Sequence, residues 1–213
     1  MLKKIFMLFK IGRKLATSGA ISSIFEIYNP PITIRFLFFI IGLNFENKKN
    51  KGNLDPDKKL CDALQEMGTT FIKLGQFLAT RPDIIGENVS KELEKLQDKL
   101  PEFSLFDAKN ILRNELGKEN FQQISNLTEP VAAASIAQVH FAEIDISGEK
   151  KNVAIKILRP NIERIFNEEL DALMLLAYIV ESISKKTKRL KLVEIVQLLR
   201  EITNIEMDLR FEA

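Results

Sequence analysis

One lysine lies in a stretch that otherwise has the composition of a buried strand. The segment Val153-Ala154-Ile155-Lys156 is rich in β-branched and small apolar residues, which predicts a strand. A strand lysine that faces a cleft can bind the phosphates of a nucleotide and pair with an acid on a neighbouring helix. The alternative is a strand end whose ammonium lies in water, and so short a motif does not decide between the two.

The residues before this strand predict a turn made of small side chains. Residues 131–140 read VAAASIAQVH, with Ala132, Ala133, Ala134 and Ser135 at the centre and no glycine. Such a turn can present backbone amides to a phosphate, but each Cβ restricts the backbone more than glycine would. Close packing of strands or helices is the alternative explanation for a run of alanine and serine.

Two further groups of polar residues lie far from this turn in sequence. Lys73 and Gln76 are three residues apart and therefore share one face of a predicted helix, with Gly75 between them at a cost of about 1 kcal/mol relative to alanine. A mid-helix glycine suggests the close approach of another backbone. Near residue 213, Glu206, Asp208 and Glu212 offer acids that could meet a lysine, and on a helix Asp208 and Glu212 share a face. Solvated helix surfaces are the alternative for both groups.

The elements that position these residues change character along the chain. Apolar residues from Leu60 to Leu78 recur at helical spacing and predict one long helix ending before Arg81-Pro82. We expect a second helix over about 89–100, a third over 104–116 that begins at Ser104 and is stopped by Gly117, and two more over about 162–183 and from 191 onward. Between them, residues 136–144 and 152–158 predict a β-hairpin.

Composition excludes several kinds of site. The chain has 213 residues with one Cys and one His, so Cys61 has no internal disulfide partner and no Cys/His zinc cluster can form with His140. We therefore expect no metal site in this chain and a reducing, cytoplasmic location. The longest strongly apolar run, Phe36 to Leu43, is far shorter than the roughly 20 residues that span a bilayer.

The net charge of +2 conceals a basic amino-terminal region. Residues 1–50 carry eight Lys or Arg against two acids. Five of these cations, Lys3, Lys4, Lys10, Arg13 and Lys14, alternate with Leu, Ile and Phe, a pattern closer to a membrane-surface helix than to a nucleic-acid-binding tail. A helix packed on its own domain is the alternative. We expect no nucleic-acid partner and a peripheral position at the inner face of the membrane.

Four segments together resemble the UbiB family of atypical kinases, also called the ABC-one or aarF-type family. They are FIKLGQFLATRPD at 71–83, similar to the family's KxGQ helix, AAASIAQVH at 132–140, similar to its alanine-rich loop, VAIKILRP at 153–160, similar to its nucleotide-binding strand, and EMDLRFEA at 206–213, similar to its ExD segment. Four linked motifs in the right order are far more specific than any one of them. The resemblance covers about residues 58–213.

The resemblance implies a role for each group. Lys156 would bind the phosphates of ATP or ADP, Glu212 would be its ion-pair partner, and Ala132, Ala133, Ala134 and Ser135 would lie over the nucleotide. Lys73 and Gln76, with Glu206 and Asp208, would form a regulatory cleft, and the helices that carry them would occlude the place of a protein substrate. The implied fold is α+β and mostly helical, a helical extension followed by the small lobe of a protein-kinase-like fold.

The resemblance also divides the chain and suggests its function. We expect a basic helical lead at 1–50, a linker at 51–57, the KxGQ extension at 58–120 and an incomplete kinase-like small lobe at 121–213. The family's catalytic aspartate, metal-binding asparagine and DFG-type aspartate are not among these residues, so we expect a fragment without catalytic residues, with Mg²⁺ bound only if a further lobe supplies its ligands. The implied role is support of ubiquinone (polyprenyl-quinone) biosynthesis through ATP binding and hydrolysis.

Two other functions stay open at this stage. One is a non-catalytic helical module that binds lipid intermediates or partner enzymes of the quinone pathway. The other is the older family label of a 2-polyprenylphenol hydroxylase, for which the sequence offers no flavin fingerprint, iron-ligand cluster or haem motif.

Overall fold

A computed structural model describes residues 2–18, 20–33, 35–36, 55–97, 100–146, 148–183 and 185–211. Within these residues the chain is mostly helical, with one small antiparallel sheet, so the predicted α+β class is confirmed. The chain divides into two compact units. Unit 1 comprises residues 1–97 and 164–206, and unit 2 comprises residues 98–163 and 207–213. The predicted linker at 51–57 is described only from residue 55 onward.

Unit 1 is built from amphipathic helices. In chain order they are α1 (Leu2–Ser18), α2 (Ala20–Tyr28), α3 (Pro56–Met67), α4 (Thr69–Ala79), α5 (Pro82–Ile85), α6 (Glu87–Leu93), most of α8 (Ile162–Ile183), α9 (Lys185–Lys188) and α10 (Leu192–Met207). Helix α3 packs against α1, α2, α4 and α6. Met67 of α3 and Phe71 and Ile72 of α4 belong to the core of this unit and are at most 1% exposed.

Glycines and prolines break the helices more often than the apolar spacing predicts. The long helix predicted before Arg81 is two helices, because Gly68 adopts φ 95°, a conformation that a side chain would strain, and so ends α3 and starts α4. The helix predicted over 89–100 is shorter: α6 begins at Glu87 and ends at Leu93. The helix predicted from 162 to 183 is confirmed as α8.

Unit 2 contains the sheet and one covering helix, α7 (Leu105–Gln122). Its strands are β1 (Ile124–Ser125), β2 (Pro130–Ala133), β3 (Ala137–Ile146) and β4 (Glu149–Leu158). Strand β3 pairs with β4 along one edge and with β1 and β2 along the other, all antiparallel. The predicted hairpin is therefore confirmed, and the sequence pattern missed the short strands β1 and β2. Ser104 caps α7, and Gly117 interrupts it at φ 77°.

The last predicted helix ends earlier than expected. Helix α10 ends at Met207, and a 3₁₀ turn covers Leu209–Phe211. Asp208 accepts a hydrogen bond from the Arg210 backbone at 3.2 Å, a local bond that competes with helix continuation. Asp208 therefore lies outside α10, and the predicted helix does not continue through it. Glu212 itself lies outside the described residues.

Candidate functional site

The register of β3 and β4 separates the sheet of unit 2 into two chemically different faces. Alternate residues of a strand point to opposite faces, and directly paired residues share a face. Ile155 and Ile157 pack with Ala108 and Leu112 of α7, so their face is the covered one. Lys156 is therefore on the opposite face, where it pairs directly with Val139.

Near Lys156 this face carries small or apolar residues, and the polar pair Glu143 and Asn152 follows further along the same face. Val139 is paired with Ala132 of β2 on one side and with Lys156 of β4 on the other. Ala154, two residues before Lys156, is exposed, and its partner Phe141 is 55% exposed. The half-buried Lys156 therefore lies beside an apolar strip on the face opposite the covering helix α7.

The alanine-rich segment is partly strand: Ala132 and Ala133 end β2, and residues 134–136 form a tight turn before β3. The amide of Ala134 donates to the carbonyl of Ala137 at 2.8 Å, which closes the turn. Ala132 is exposed, Ala133 and Ala134 are half-buried, and Ser135 is 0% exposed. Lys156 and this turn thus belong to adjoining strands of one sheet, and Glu212, the predicted partner of Lys156, lies outside the described residues.

In unit 1, the structure brings Lys73 and Glu206 together. The Lys73 ammonium lies 3.0 Å from Oε2 of Glu206, and these side chains are 13% and 35% exposed. Gln76, one helical turn further along α4, makes a long contact of 3.5 Å from Nε2 to the carbonyl of Leu96. Helix α4 thus presents one side chain to α10 and another to the segment that follows α6.

Gly75 lies against the side chains of neighbouring residues and not against a neighbouring backbone. A Cβ at this position would lie 2.2 Å from Cδ1 of Leu96 and 3.2 Å from Cδ1 of Leu64. The expectation that a second backbone approaches this glycine is therefore wrong. The space that a side chain at residue 75 would occupy is taken by Leu96, which is 6% exposed.

Asp208 pairs with its near neighbour Arg210. The guanidinium of Arg210 donates to both carboxylate oxygens, from Nε at 2.7 Å and from Nη2 at 2.5 Å. These hydrogen bonds lower the pKa of Asp208 below its ordinary value, and the carboxylate is therefore ionised at neutral pH.

Comparison with known proteins decides the family. Residues 95–213, more than half of the chain, match the model of the ABC1 atypical kinase-like domain. The chain belongs to the ABC1 atypical kinase-like family. The predicted resemblance is thereby confirmed, and with it the fold of a helical extension followed by a kinase-like small lobe.

Relatives of this ABC1 family chain carry the name "Probable protein kinase UbiB". The protein of Marinobacter nauticus is 36% identical over 86% of this chain and 32% of its own length. The protein of Pseudomonas aeruginosa is 37% identical over 78% of this chain and 31% of its own length. The chain therefore spans about a third of the length of these curated relatives. No solved structure matches the chain.

The structure of the ABC1 family chain also shows a residue that sequence reasoning missed. Arg159, three residues after Lys156, donates from Nε and Nη2 to the carbonyl of Ala134 at 3.0 and 2.7 Å. Its position in the motif VAIKILRP, next to the predicted phosphate-binding lysine, was the available signal. The motif does not reveal the partner, because a carbonyl acceptor has no sequence signature.

Helix α1 of the ABC1 family chain has a mixed exposed face. Phe6, Phe9, Lys10 and Arg13 fall within about 100° of the helix circumference, and all four are exposed. In contrast, Leu8, Ile11 and Leu15 are buried, and Lys14 donates to the carbonyl of Met67 at 2.5 Å. Of the predicted membrane-facing cations, Lys10 and Arg13 are therefore exposed, whereas Lys14 binds the Met67 carbonyl. The side chains of residues 2–5, which include Lys3 and Lys4, are not described.

Further observations concern surface depressions, metal ligands and membrane-spanning helices. An open depression of about 520 Å³ lies over the middle of the β3–β4 ladder, where Phe141 and Ala154 are part of its lining. Its lining includes neither Lys156 nor the alanine-rich segment. Among the described residues, no three His, Cys, Asp or Glu side chains are grouped as metal ligands, and no helix has the length and apolar character needed to cross a membrane.

Proposed function

We propose that this chain contributes the nucleotide-binding small lobe of an atypical kinase or ATPase that supports ubiquinone (polyprenyl-quinone) biosynthesis. ATP or ADP binds on the sheet face that carries Lys156, with its phosphates between that ammonium and the alanine-rich segment from Ala132 to Ser135. Membership of the ABC1 atypical kinase-like family supports this proposal. The name of the relatives, probable protein kinase, agrees with it.

The observation that carries the proposal is the sharing of one sheet face by Lys156, Val139 and Ala154. A cation with small apolar neighbours suits a ligand that has an anionic end and a flat aromatic end. The ammonium attracts phosphate oxygens, and the apolar strip at Val139 and Ala154 offers contact to a base. The chemistry of this face therefore fits a nucleoside phosphate better than a purely apolar ligand.

The proposal concerns binding and derives no transfer step. Phosphoryl transfer requires Mg²⁺ held by oxygen ligands. The described residues do not group three carboxylates that would fit such an ion, so no step is assigned to them. The regulatory role of Lys73, Gln76, Glu206 and Asp208, and the pairing of Lys156 with Glu212, stay predictions.

Titration of the 213-residue chain with ADP tests the binding site. We expect Lys156→Met to weaken ADP binding by about tenfold or more, because a hydrogen bond to a charged group contributes about 1.5–3 kcal/mol. Lys151→Met is the matched control: Lys151 lies on the same strand, its side chain is 55% exposed, and its ammonium lies 3.6 Å from Oε2 of Glu149. Equal ADP affinity of the two variants would reject the site.

A second candidate function rests on helix α1. We propose that the face formed by Phe6, Phe9, Lys10 and Arg13 binds an anionic membrane surface, where quinone-pathway lipids or enzymes would be partners. Phe6 is 73% exposed, a costly position for a large apolar ring in water. Aromatic rings flanked by cations suit the boundary between lipid headgroups and acyl chains.

Vesicle co-sedimentation tests this surface. We expect binding to vesicles of phosphatidylcholine with phosphatidylglycerol, weaker binding in high salt, and a strong loss for Phe6→Ser with Phe9→Ser. Phe106→Ser is the matched control, because Phe106 is also largely exposed, at 72%, but lies in unit 2. Equal binding to neutral and anionic vesicles would reject the electrostatic contribution.

A further inference from the structure

Arg159 binds backbone carbonyl groups on two separate segments of unit 2. Its Nε and Nη2 donate to the carbonyl of Ala134 in the alanine-rich turn at 3.0 and 2.7 Å. Its Nη1 donates to the carbonyl of Pro101 at 2.7 Å, and Nη2 also reaches the carbonyl of Leu100 at 3.2 Å. The Arg159 amide in turn donates to the carbonyl of Ile136 at 2.9 Å.

These contacts fix the turn through a group whose geometry is rigid. A guanidinium is planar and presents its donors in a fixed fork, so three acceptors can be held at once. The described residues give Arg159 no carboxylate partner, and burial lowers the pKa of its guanidinium. The charge is therefore balanced by carbonyl dipoles, which makes the arrangement sensitive to where Ala134, Leu100 and Pro101 lie.

A second contact fastens the other side of the turn to the same segment. Gln138, the second residue of β3, accepts from the Phe103 amide at 3.1 Å and donates to the Phe103 carbonyl at 3.0 Å. Gln138 is 1% exposed. The turn at 134–136 is thus held on one side by Arg159 and on the other by Gln138, and both bind residues 100–103.

We propose that Arg159 is a positioning residue that holds the alanine-rich turn in one conformation and thereby sets how closely its backbone approaches a nucleotide phosphate. This inference rests on the proposed nucleotide site. Glycine-free turns have less backbone freedom, and the guanidinium of Arg159 restricts this turn further by binding the carbonyl of Ala134, while the backbone amide of residue 159 binds the carbonyl of Ile136. Residues 100–103 act as the fixed support for this turn.

Hydrogen exchange of the 213-residue chain tests the positioning role without any ligand. Arg159→Met should lower protection of the Ala134 amide about tenfold or more, because that amide closes the turn that Arg159 holds. Amides in the middle of the β3–β4 ladder should keep their protection, which shows that unit 2 stays folded. Arg113→Met, a replacement on α7 away from the turn, is the matched control and should leave Ala134 unchanged.

Arg159→Lys tests whether the planar set of guanidinium donors, or the positive charge alone, holds the turn. A lysine keeps the positive charge but cannot hold three carbonyls in a plane, so we expect protection of Ala134 to fall nearly as far as in Arg159→Met. Full protection in Arg159→Lys, or unchanged protection in Arg159→Met, would overturn the positioning role.

Ligand titrations test the consequence for phosphate binding. We expect Arg159→Met to weaken ADP binding several-fold and to leave adenosine binding unchanged, because only ADP reaches the turn with its phosphates. An equal loss for ADP and adenosine would indicate general destabilisation and overturn the proposal. If the unaltered chain binds neither ligand, the proposed function and the phosphate part of this inference fail together, and the exchange experiment alone decides whether Arg159 holds the turn.

Discussion

The ammonium of Lys73 lies 3.0 Å from Oε2 of Glu206 and donates a hydrogen bond to Oε1 at 3.3 Å, so one cation faces both oxygens of one carboxylate. The two residues are 133 positions apart in the chain. Their pairing joins α4, a helix of the amino-terminal half, to the end of α10 within unit 1. It is a long-range restraint between segments that no local signal connects.

We predict that this pair stabilises unit 1 measurably. Lys73 is 13% exposed, which places the pair between a surface pair, worth about 0–1 kcal/mol, and a buried pair. A double-mutant cycle with Lys73→Met and Glu206→Gln, read by urea unfolding, should give a coupling free energy of about 1 kcal/mol or more. The pair Lys191–Glu194, with side chains 66% and 68% exposed, is the control and should couple by less than about 0.5 kcal/mol. Equal coupling in the two pairs would contradict the prediction.

The helices and strands were predictable where they depend on the spacing of apolar residues close together in the chain. Helix α8 spans Ile162–Ile183 as its apolar spacing indicates, with Phe166 and Leu170 at most 1% exposed. The break at Gly68 was not predictable, because apolar residues keep their helical spacing through it. Strands β1 and β2 were missed, because their few residues form strands only when β3 is beside them.

The candidate site was likewise predictable only in part. Residue types and order identified Lys156 and the alanine-rich turn, and the register of β3 and β4 adds Val139 and Ala154 to their face. The contact of Arg159 with Ala134 was not predictable, because it joins a side chain to a backbone carbonyl 25 residues away. Carbonyl acceptors are present at every residue, so sequence alone cannot select one.

Gly75 provides a second prediction, since the space above it is taken by Leu96. A Cβ at residue 75 would lie 2.2 Å from Cδ1 of Leu96. Gly75→Ala should therefore lower the free energy of unfolding by about 1–3 kcal/mol through overpacking. In the Leu96→Ala background the space is open, and Gly75→Ala should stabilise by up to about 1 kcal/mol through helix propensity. The same destabilisation in both backgrounds would show that Leu96 is not the obstacle.

Tyr28 predicts a change in stability at alkaline pH. Its hydroxyl donates to the carbonyl of Ile85 at 2.7 Å, and burial, with a smaller contribution from Asp57, raises the pKa of Tyr28 to about 12. Because the folded pKa lies above the ordinary value of 10, the contribution of the neutral phenol is complete below pH 10 and is lost as the pH rises from 10 to 12.

Comparison with Tyr28→Phe isolates this effect from other alkaline titrations. At pH 8 the unaltered chain should be more stable than Tyr28→Phe by about 1 kcal/mol, the usual value of one hydrogen bond. The difference between the two should shrink as the pH approaches 12. Urea unfolding at pH 8, 10 and 11 measures it, and a difference that stays constant over this range would contradict the raised pKa.

The last prediction concerns the buried amide of Gln138. Its Nε2 donates to the Phe103 carbonyl at 3.0 Å and lies 2.9 Å from Nε2 of His140, while its Oε1 accepts from the Phe103 amide at 3.1 Å. Nδ1 of His140 lies 2.8 Å from the carbonyl of Thr128 and must donate to it, so Nε2 of His140 carries the lone pair that accepts from Gln138. Every polar atom of the Gln138 side chain therefore has a partner, and one neutral tautomer of His140 fits the set.

Gln138→Leu keeps most of the volume of this side chain and removes all three contacts. The Phe103 amide and carbonyl and the His140 nitrogen would lose their partner where Gln138 is 1% exposed, and each unsatisfied buried group costs about 1–3 kcal/mol. We expect unit 2 to lose about 3 kcal/mol of stability in urea unfolding, with faster hydrogen exchange at Phe103. Gln123→Leu, an exposed glutamine in the same unit, is the matched control and should change stability by less than about 0.5 kcal/mol. If Gln138→Leu is as stable as that control, the amide does not hold residues 100–103 against β3, and the support proposed for the alanine-rich turn loses one of its two attachments.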